Sequence, residues 1–297
     1  MGDVIDFLQA HHGALVVIAV LLGLTVGSFL NVVIHRLPRM MQAEWREQAA
    51  GIAQEAGLRD CAAKLRPSSQ RYNLLVPPSN CPNCGHRIGA LENVPVLSYL
   101  WLRGRCSACA SPISPRYPLV EGISGLLAGY VAWRYGPSLA TAGGLLFVWA
   151  LIALTVIDID TQLLPDDITF PLLWAGLLFG IGAAFVTLPE AVIGAATGYL
   201  SLWAVYWIFR FATGKEGMGF GDFKLLGAIG AWLGWKMLPL VILLSSVVGA
   251  AVGIALIALG RQGRSTPIPF GPYLAVAGLI AMLWGPQINR AYLQLFQ

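Results

Sequence analysis

Long apolar runs constrain the fold of this chain more than any other sequence feature. A helix needs about 20 mostly apolar residues to cross a bilayer, and eight such runs follow one another along the 297 residues. They occupy residues 15–34, 119–133, 139–157, 168–187, 191–211, 223–235, 238–259 and 272–284. Only 11% of the residues are charged, which excludes both an ordinary soluble domain and a disordered chain. The sequence predicts an all-α polytopic membrane protein with about eight transmembrane helices.

The basic residues predict an orientation for these spans. If the N-terminus lies outside, sixteen of the 19 Lys and Arg residues fall in inside segments, and only Arg134, Lys236 and Arg290 fall outside. Lys and Arg accumulate in cytoplasmic loops, so we expect both termini outside. No Lys or Arg precedes the first run, which is therefore expected to be a retained span rather than a signal peptide. Orientation accounts for the net charge of +4, and no nucleic-acid partner is expected.

One long polar segment, residues 36–117, separates the first span (1–35) from a seven-span part (118–297). It contains two CxxC pairs, Cys81 with Cys84 and Cys106 with Cys109. Two such turns present four thiolates to one tetrahedral zinc ion, which then has no open position and is structural. Two disulfides are the alternative, but the cytoplasmic side keeps thiols reduced. The fifth cysteine, Cys61, is expected to be a small apolar filler.

Two acidic residues at span ends are candidates for catalysis. Asp158 ends the third run, and Asp222 follows a glycine-rich segment and opens the sixth. Alternating span directions place both at the same membrane face, where an ionisable group is costly and indicates function. Two carboxylates at one depth can share a proton, with one as base on a water and the other as acid, as in aspartic proteases. Alternatively, either is an interfacial helix cap, and Asp160 is near enough to replace Asp158.

Other charged residues have simpler expected roles. Asp166 and Asp167 follow a proline and precede an apolar run, which is typical of a helix start with one of them as N-cap. Glu121 is expected to pair with Arg116 near the interface, and the alternative is that it lines the site. Lys224 is expected either to pair with Asp222 or to extend to the interface.

The sequence closely resembles the bacterial type IV prepilin peptidases over essentially its whole length. The resemblance depends on GSFLNVVIHRLP at 27–38, the two CxxC pairs, RYPLVE at 116–121, DID at 158–160 with LPD at 164–166, GKEGMGFGD at 214–222 and PIPFGP at 267–272. It implies membrane aspartic proteases of the GxGD type, with Asp158 and Asp222 as the catalytic pair.

The resemblance also implies substrates and a second activity. Cleavage would follow a glycine in the leaders of type IV prepilins and type II secretion pseudopilins. Members with the long loop also methylate the new N-terminal residue, usually Phe, with S-adenosylmethionine as methyl donor. The family associates the glycine before the second cysteine pair, here Gly104, with methyl transfer. The expected location is the bacterial inner membrane, with the active site and the long loop cytoplasmic and both termini periplasmic.

Three alternatives remain at this stage. A transporter that uses intramembrane carboxylates predicts acids near mid-span and internal repeats, whereas here the acids lie at span ends and no clear repeat is visible. A membrane anchor for a zinc-ribbon interaction module gives no reason for Asp158 and Asp222. A peptidase that has lost methyl transfer is disfavoured by the intact cysteine loop.

Overall fold

The computed structural model describes residues 8–66, 72–215, 217–259 and 268–294, without the side chain at position 293. Arg71, Glu216, Arg261, Arg264 and Pro267, which belong to the charge count or the motifs above, lie outside these residues.

The described part of the chain is helical. Its helices are α1 (His12–Glu55), α2 (Arg59–Leu65), α3 (Leu97–Trp101), α4 (Arg116–Tyr135), α5 (Leu139–Thr161), α6 (Asp166–Ile181), α7 (Leu188–Thr213), α8 (Phe220–Leu233), α9 (Leu238–Ala258) and α10 (Gly271–Gln294). Short 3-10 turns lie at Leu91–Asn93 and Trp235–Met237. Each of the eight longer helices overlaps one predicted apolar run, so the prediction of an all-α fold is confirmed.

Five segments within the described residues are long and apolar enough to cross a membrane. They are His12–Glu55, Leu139–Thr161, Leu188–Thr213, Trp235–Ala258 and Gly271–Tyr292. The chain is therefore a multi-pass membrane protein. Helices α6 and α8, with 16 and 14 residues, are shorter than the roughly 20 residues with which a helix usually crosses a hydrocarbon core of about 30 Å at about 1.5 Å per residue.

The chain forms two compact units. The small unit is Leu24–Ile123, and the large unit combines Met1–Gly23 with Ser124–Gln297.

The core of the large unit is built around Trp232 on α8. Its ring is buried and packs against Phe147 and Phe179, with ring centroids 5.4 and 5.2 Å away. Its indole N–H donates to the carbonyl of Leu172 at 2.8 Å. A Cβ built at Gly176 would lie 2.8 Å from Trp232 Cδ1, so glycine on α6 makes room for the ring. A buried tryptophan with a satisfied N–H fixes α6 against α8.

Glycines bring the backbones of α7 and α8 into direct contact. A Cβ at Gly194 would overlap the carbonyl of Gly230, and a Cβ at Gly198 would lie 2.5 Å from the carbonyl oxygen of Leu226. Small residues allow close helix packing in a membrane, where lipid offers no hydrophobic drive for helix association. This packing and the α6 contact hold α8, which begins beside Asp222.

The small unit starts on a helix that is longer than the sequence predicts. The first apolar run ends at Ile34, but α1 continues through Pro38 to Glu55. Arg36 is only 8% exposed. Its guanidinium donates to the carbonyls of Asn73 at 2.9 Å and Pro77 at 2.6 Å. A buried cation is stable only with such partners, and these two bonds tie the following polar segment to α1.

Candidate active site and metal centre

Asp158 lies in the last turn of α5 and is 4% exposed. The backbone N–H of Gly271 donates to its Oδ2 at 3.0 Å. Gly271 is the first residue of α10, where backbone N–H groups lack partners within the helix and the helix dipole favours an anion. The start of α10 therefore holds one oxygen of the Asp158 carboxylate in place.

Asp222 lies in the first turn of α8 and is 7% exposed. Asp158 and Asp222, the two acidic residues that the sequence singles out, are 64 positions apart in sequence. Both are buried, and the charge of one acts on the other. Two buried carboxylates that repel one another in this way favour a shared proton.

Glycines and Leu164 line the same region. A Cβ at Gly271 would lie 2.6 Å from Asp158 Oδ2 and 3.1 Å from Leu164 Cδ2, and a Cβ at Gly221 would lie 2.8 Å from Leu164 Cβ. Only a glycine leaves room at either place. Gly271 lies in a motif that the sequence analysis quoted, but its contact with Asp158 was missed because 113 residues separate them.

The neighbouring acidic residues are more exposed. Asp160 is exposed, and Asp166 and Asp167 lie in the first turn of α6, whose N-cap is Pro165 rather than either aspartate. Lys224 does not pair with Asp222, one of the two expected alternatives; its Nζ lies 2.8 Å from both carboxylate oxygens of Asp166. Lys224 is therefore not a charge partner of Asp222.

The four paired cysteines form one cluster in the small unit. The Sγ atoms of Cys81, Cys84, Cys106 and Cys109 all lie within 4.8 Å of one another, and none of the four is in a disulfide. Cys81 Sγ and Cys109 Sγ are 3.8 Å apart. Four sulfurs at about 2.3 Å from a tetrahedral zinc ion are separated by about 3.8 Å, so the cluster fits that ion.

The two cysteine turns repeat the same hydrogen bonds. Cys81 N–H donates to the His86 carbonyl at 2.8 Å, and Cys106 N–H donates to the Ser111 carbonyl at 2.9 Å. The residue after each pair, Gly85 and Ala110, has a positive φ of 73° and 57°. This left-handed step turns the chain back so that both thiols of a pair face one point.

Glu92 links the two turns. Its carboxylate accepts from Gly89 N–H at 2.8 Å, from the Ser107 hydroxyl, and from His86 Nε2 at 3.2 Å. These bonds lower the pKa of Glu92 to about 2, and the bond from the Gly89 N–H has the largest effect. His86 thus binds Glu92 and lies outside the cysteine cluster. No sequence pattern indicates Glu92, because its partners come from both turns.

Gly104 stands at the base of the second turn. Its φ is +68°, and a Cβ there would lie 2.9 Å from Tyr99 Oη. Its N–H donates to the Tyr99 carbonyl at 2.9 Å, and its carbonyl accepts from Ile113 N–H at 2.7 Å. Both the backbone conformation and the Tyr99 ring therefore require glycine at this position.

Two other expectations are wrong. Cys61 is exposed on α2 and is no apolar filler. Glu121 does not form the expected ion pair with Arg116; it is 9% exposed and accepts from the Val96 N–H at 2.8 Å.

These features define a class of protein: a helical multi-pass membrane protein with a buried carboxylate pair and a four-cysteine cluster. Comparison with known proteins narrows it. The model of the bacterial peptidase A24 N-terminal domain matches residues 21–135, and that of the type IV leader peptidase family matches residues 145–254. No solved structure matches the chain.

Several curated proteins are similar in sequence to this chain over most of its length. Three of them, each called prepilin leader peptidase/N-methyltransferase, come from Stutzerimonas stutzeri, Pseudomonas aeruginosa and Aeromonas hydrophila. Identity is 53%, 52% and 56%, over 98%, 98% and 93% of this chain and 98%, 97% and 93% of the relative. The chain therefore belongs to the type IV prepilin leader peptidase/N-methyltransferase family, peptidase A24.

Proposed function

We propose that this chain cleaves the leader peptide from prepilins and then methylates the new N-terminus. The observation that carries the peptidase half is the buried carboxylate pair, Asp158 with Asp222, at the ends of two helices. The names of the relatives support both halves.

In the peptidase step, the two carboxylates share one proton. The ionised one takes a proton from water, and the resulting hydroxide attacks the scissile carbonyl, while the protonated one donates to the carbonyl oxygen. The Gly271 N–H bond supports a fixed position for Asp158. The glycines around Leu164 favour an extended peptide backbone close by, because they add no side chains there.

The substrates in this proposal are type IV prepilins and type II secretion pseudopilins, cut after a glycine that precedes their hydrophobic segment. A prepilin leader is typically basic. The exposed carboxylates of Asp160 and Asp167 are of the opposite charge and suit such a leader.

The metal in this proposal is one structural zinc ion bound by Cys81, Cys84, Cys106 and Cys109. The sulfur separations support it, and the set of four thiolates leaves no open position for catalysis. A bound metal would favour the thiolate form of all four cysteines. Zinc would fix the two turns relative to one another and so support Gly104.

For methyl transfer, the donor in this proposal is S-adenosylmethionine, which supplies an activated methyl group. Gly104 is the residue that the family resemblance associates with this step. Its positive φ and its contact with Tyr99 support a backbone role, in which Gly104 shapes the loop instead of contacting substrate through a side chain.

The topology in this proposal has eight spans in a bacterial inner membrane, with both termini periplasmic. Residues 1–35 form the first span, 36–117 a cytoplasmic zinc-binding insertion, and 118–297 the seven-span peptidase part. Eight helices of 14 or more residues support the count, with α6 and α8 as short members, and the basic residues support the orientation.

The test is a mass measurement on the product. Purified protein is incubated with a prepilin, with and without S-adenosylmethionine, and the pilin is weighed. We expect loss of the leader in both samples and one added methyl group, about 14 Da, only with the donor. Uncut prepilin would contradict the peptidase half, and cut pilin without the added mass would contradict the methyltransferase half.

A further inference from the structure

The small unit contains a buried carboxylate that the proposed peptidase chemistry does not use. Glu121, on α4, accepts a hydrogen bond from the Val96 N–H at 2.8 Å and lies near the Ser28 hydroxyl. Both groups are neutral, and none of the ion pairs found among the described residues involves Glu121. A buried carboxylate without a cation is costly, so a cation partner would stabilise the charged form at this position.

Val96 adds a second, independent observation. Its backbone lies at φ +61° and ψ −46°, a conformation that is a true outlier for a β-branched residue. This strained turn directs the Val96 N–H at the Glu121 carboxylate. Backbone strain of this kind is concentrated at ligand sites, where the surrounding structure must enforce it. The strain and the buried charge therefore point to one place.

Helix α3 connects this place to Gly104. Val96 is the N-cap of α3, and its N–H is held by Glu121. At the other end of α3, Gly104 N–H donates to the Tyr99 carbonyl, and the Tyr99 ring covers Gly104. Glu121 and the glycine that the resemblance associates with methyl transfer thus hold the two ends of one five-residue helix.

We propose that Glu121 is the anionic group that receives an organic cation during methyl transfer. This inference rests on the proposed function. Both reactants bring such a cation: the methyl donor is a sulfonium, and the α-amino group of cleaved pilin, with a pKa of about 7.7–8.0, is largely protonated at neutral pH. The Val96 N–H and the Ser28 hydroxyl are neutral, so a cation beside Glu121 would be its charge partner.

Where the cation is the α-ammonium, Glu121 also accepts its proton. The freed lone pair on nitrogen forms the new bond to the methyl carbon. The carbon–sulfur bond breaks and its electron pair stays on sulfur, which becomes neutral.

The test variant is Glu121→Gln, which removes the charge but keeps an acceptor oxygen for the Val96 N–H and the Ser28 hydroxyl. Glu121→Asp keeps the charge with a shorter side chain. Glu47→Gln, at an exposed position on α1, is the matched control. Zinc content and the rate of leader cleavage report whether each variant is folded, and both should stay within about twofold of wild type.

Two measurements distinguish the source of the cation. Calorimetry gives the affinity for S-adenosylmethionine and for S-adenosylhomocysteine, which lacks the sulfonium charge. Methylation of pre-cleaved pilin gives KM and kcat against pH. If Glu121 receives the sulfonium, Glu121→Gln loses the preference for the charged ligand by about tenfold. If it receives the amine, both affinities stay unchanged, methylation falls by about tenfold or more, and higher pH restores part of it.

Glu121→Asp should retain more of the affected property than Glu121→Gln in either case. Wild-type affinities and methylation in Glu121→Gln would overturn the inference. If the glutamine variant does not fold, Glu121→Asp with wild-type zinc content decides the question. A loss of either affected property relative to the Glu47→Gln control supports the inference, and behaviour equal to that control in both assays overturns it. Wild-type protein that cleaves but never methylates would instead overturn the proposed function.

Discussion

Gly271→Ala tests whether the start of α10 positions the Asp158 carboxylate. The new Cβ would lie 2.6 Å from Asp158 Oδ2, so the carboxylate must move and its 3.0 Å bond to the Gly271 N–H is broken or distorted. A hydrogen bond to a charged group contributes about 1.5–3 kcal/mol. Since about 1.4 kcal/mol is tenfold in rate, we expect leader cleavage to slow by about 10- to 150-fold.

Backbone strain does not confuse this experiment, because Gly271 is not among the positive-φ glycines. The matched control is Gly278→Ala on the same helix, whose Cβ would lie 3.0 Å from Ile229 Cδ1 and touches no carboxylate. Initial rates of leader removal are measured by mass spectrometry, with thermal unfolding as the check on folding. A folded Gly271→Ala protein that cuts as fast as Gly278→Ala would refute the positioning role.

Three further outcomes are expected. Asp158→Asn and Asp222→Asn should each lower the rate of leader cleavage by several orders of magnitude without affecting membrane insertion. Asp160→Asn should have a milder effect, and complete loss of cleavage in this variant would move the catalytic role of Asp158 to Asp160. Purified protein should contain about one zinc ion with four sulfurs at about 2.3 Å, and Cys106→Ser should lose it; metal-free wild-type protein with four freely alkylated thiols would contradict the site. Gly104→Val should impair methylation at least about tenfold more than cleavage. A left-handed conformation costs a residue with a side chain about 1–2 kcal/mol, and the valine would also collide with Tyr99. Fully methylated product from this variant would exclude a role of Gly104 in methyl transfer.

The helices could be predicted from sequence because each depends on a local apolar run. Their ends could not be predicted as well. Helix α1 continues past Ile34 through the polar stretch after Pro38. Hydropathy marks only the apolar part of such a helix and does not show where the helix ends. Pro165 rather than Asp166 or Asp167 is the N-cap of α6, and Asp166 instead pairs with Lys224 across 58 residues.

The same division applies to the candidate sites. The cysteine cluster could be predicted because each CxxC turn is local and the two turns repeat one pattern. The contact between Gly271 and Asp158, the bridge that Glu92 makes between the turns, and the partners of Glu121 join distant parts of the chain. No periodicity or spacing records such contacts, since they arise only when the helices pack.

The short length of α8 has a consequence for how water reaches Asp222. With 14 residues, α8 is about 21 Å long, about 9 Å less than the hydrocarbon thickness. Apart from Lys224, its residues from Phe223 to Leu233 are buried, so protein rather than lipid surrounds most of its length. Lipid cannot satisfy the backbone N–H groups at a helix start, whereas protein and water can. Hydrolytic water and an unwound stretch of polypeptide would therefore reach Asp222 along protein surfaces, without passing through acyl chains.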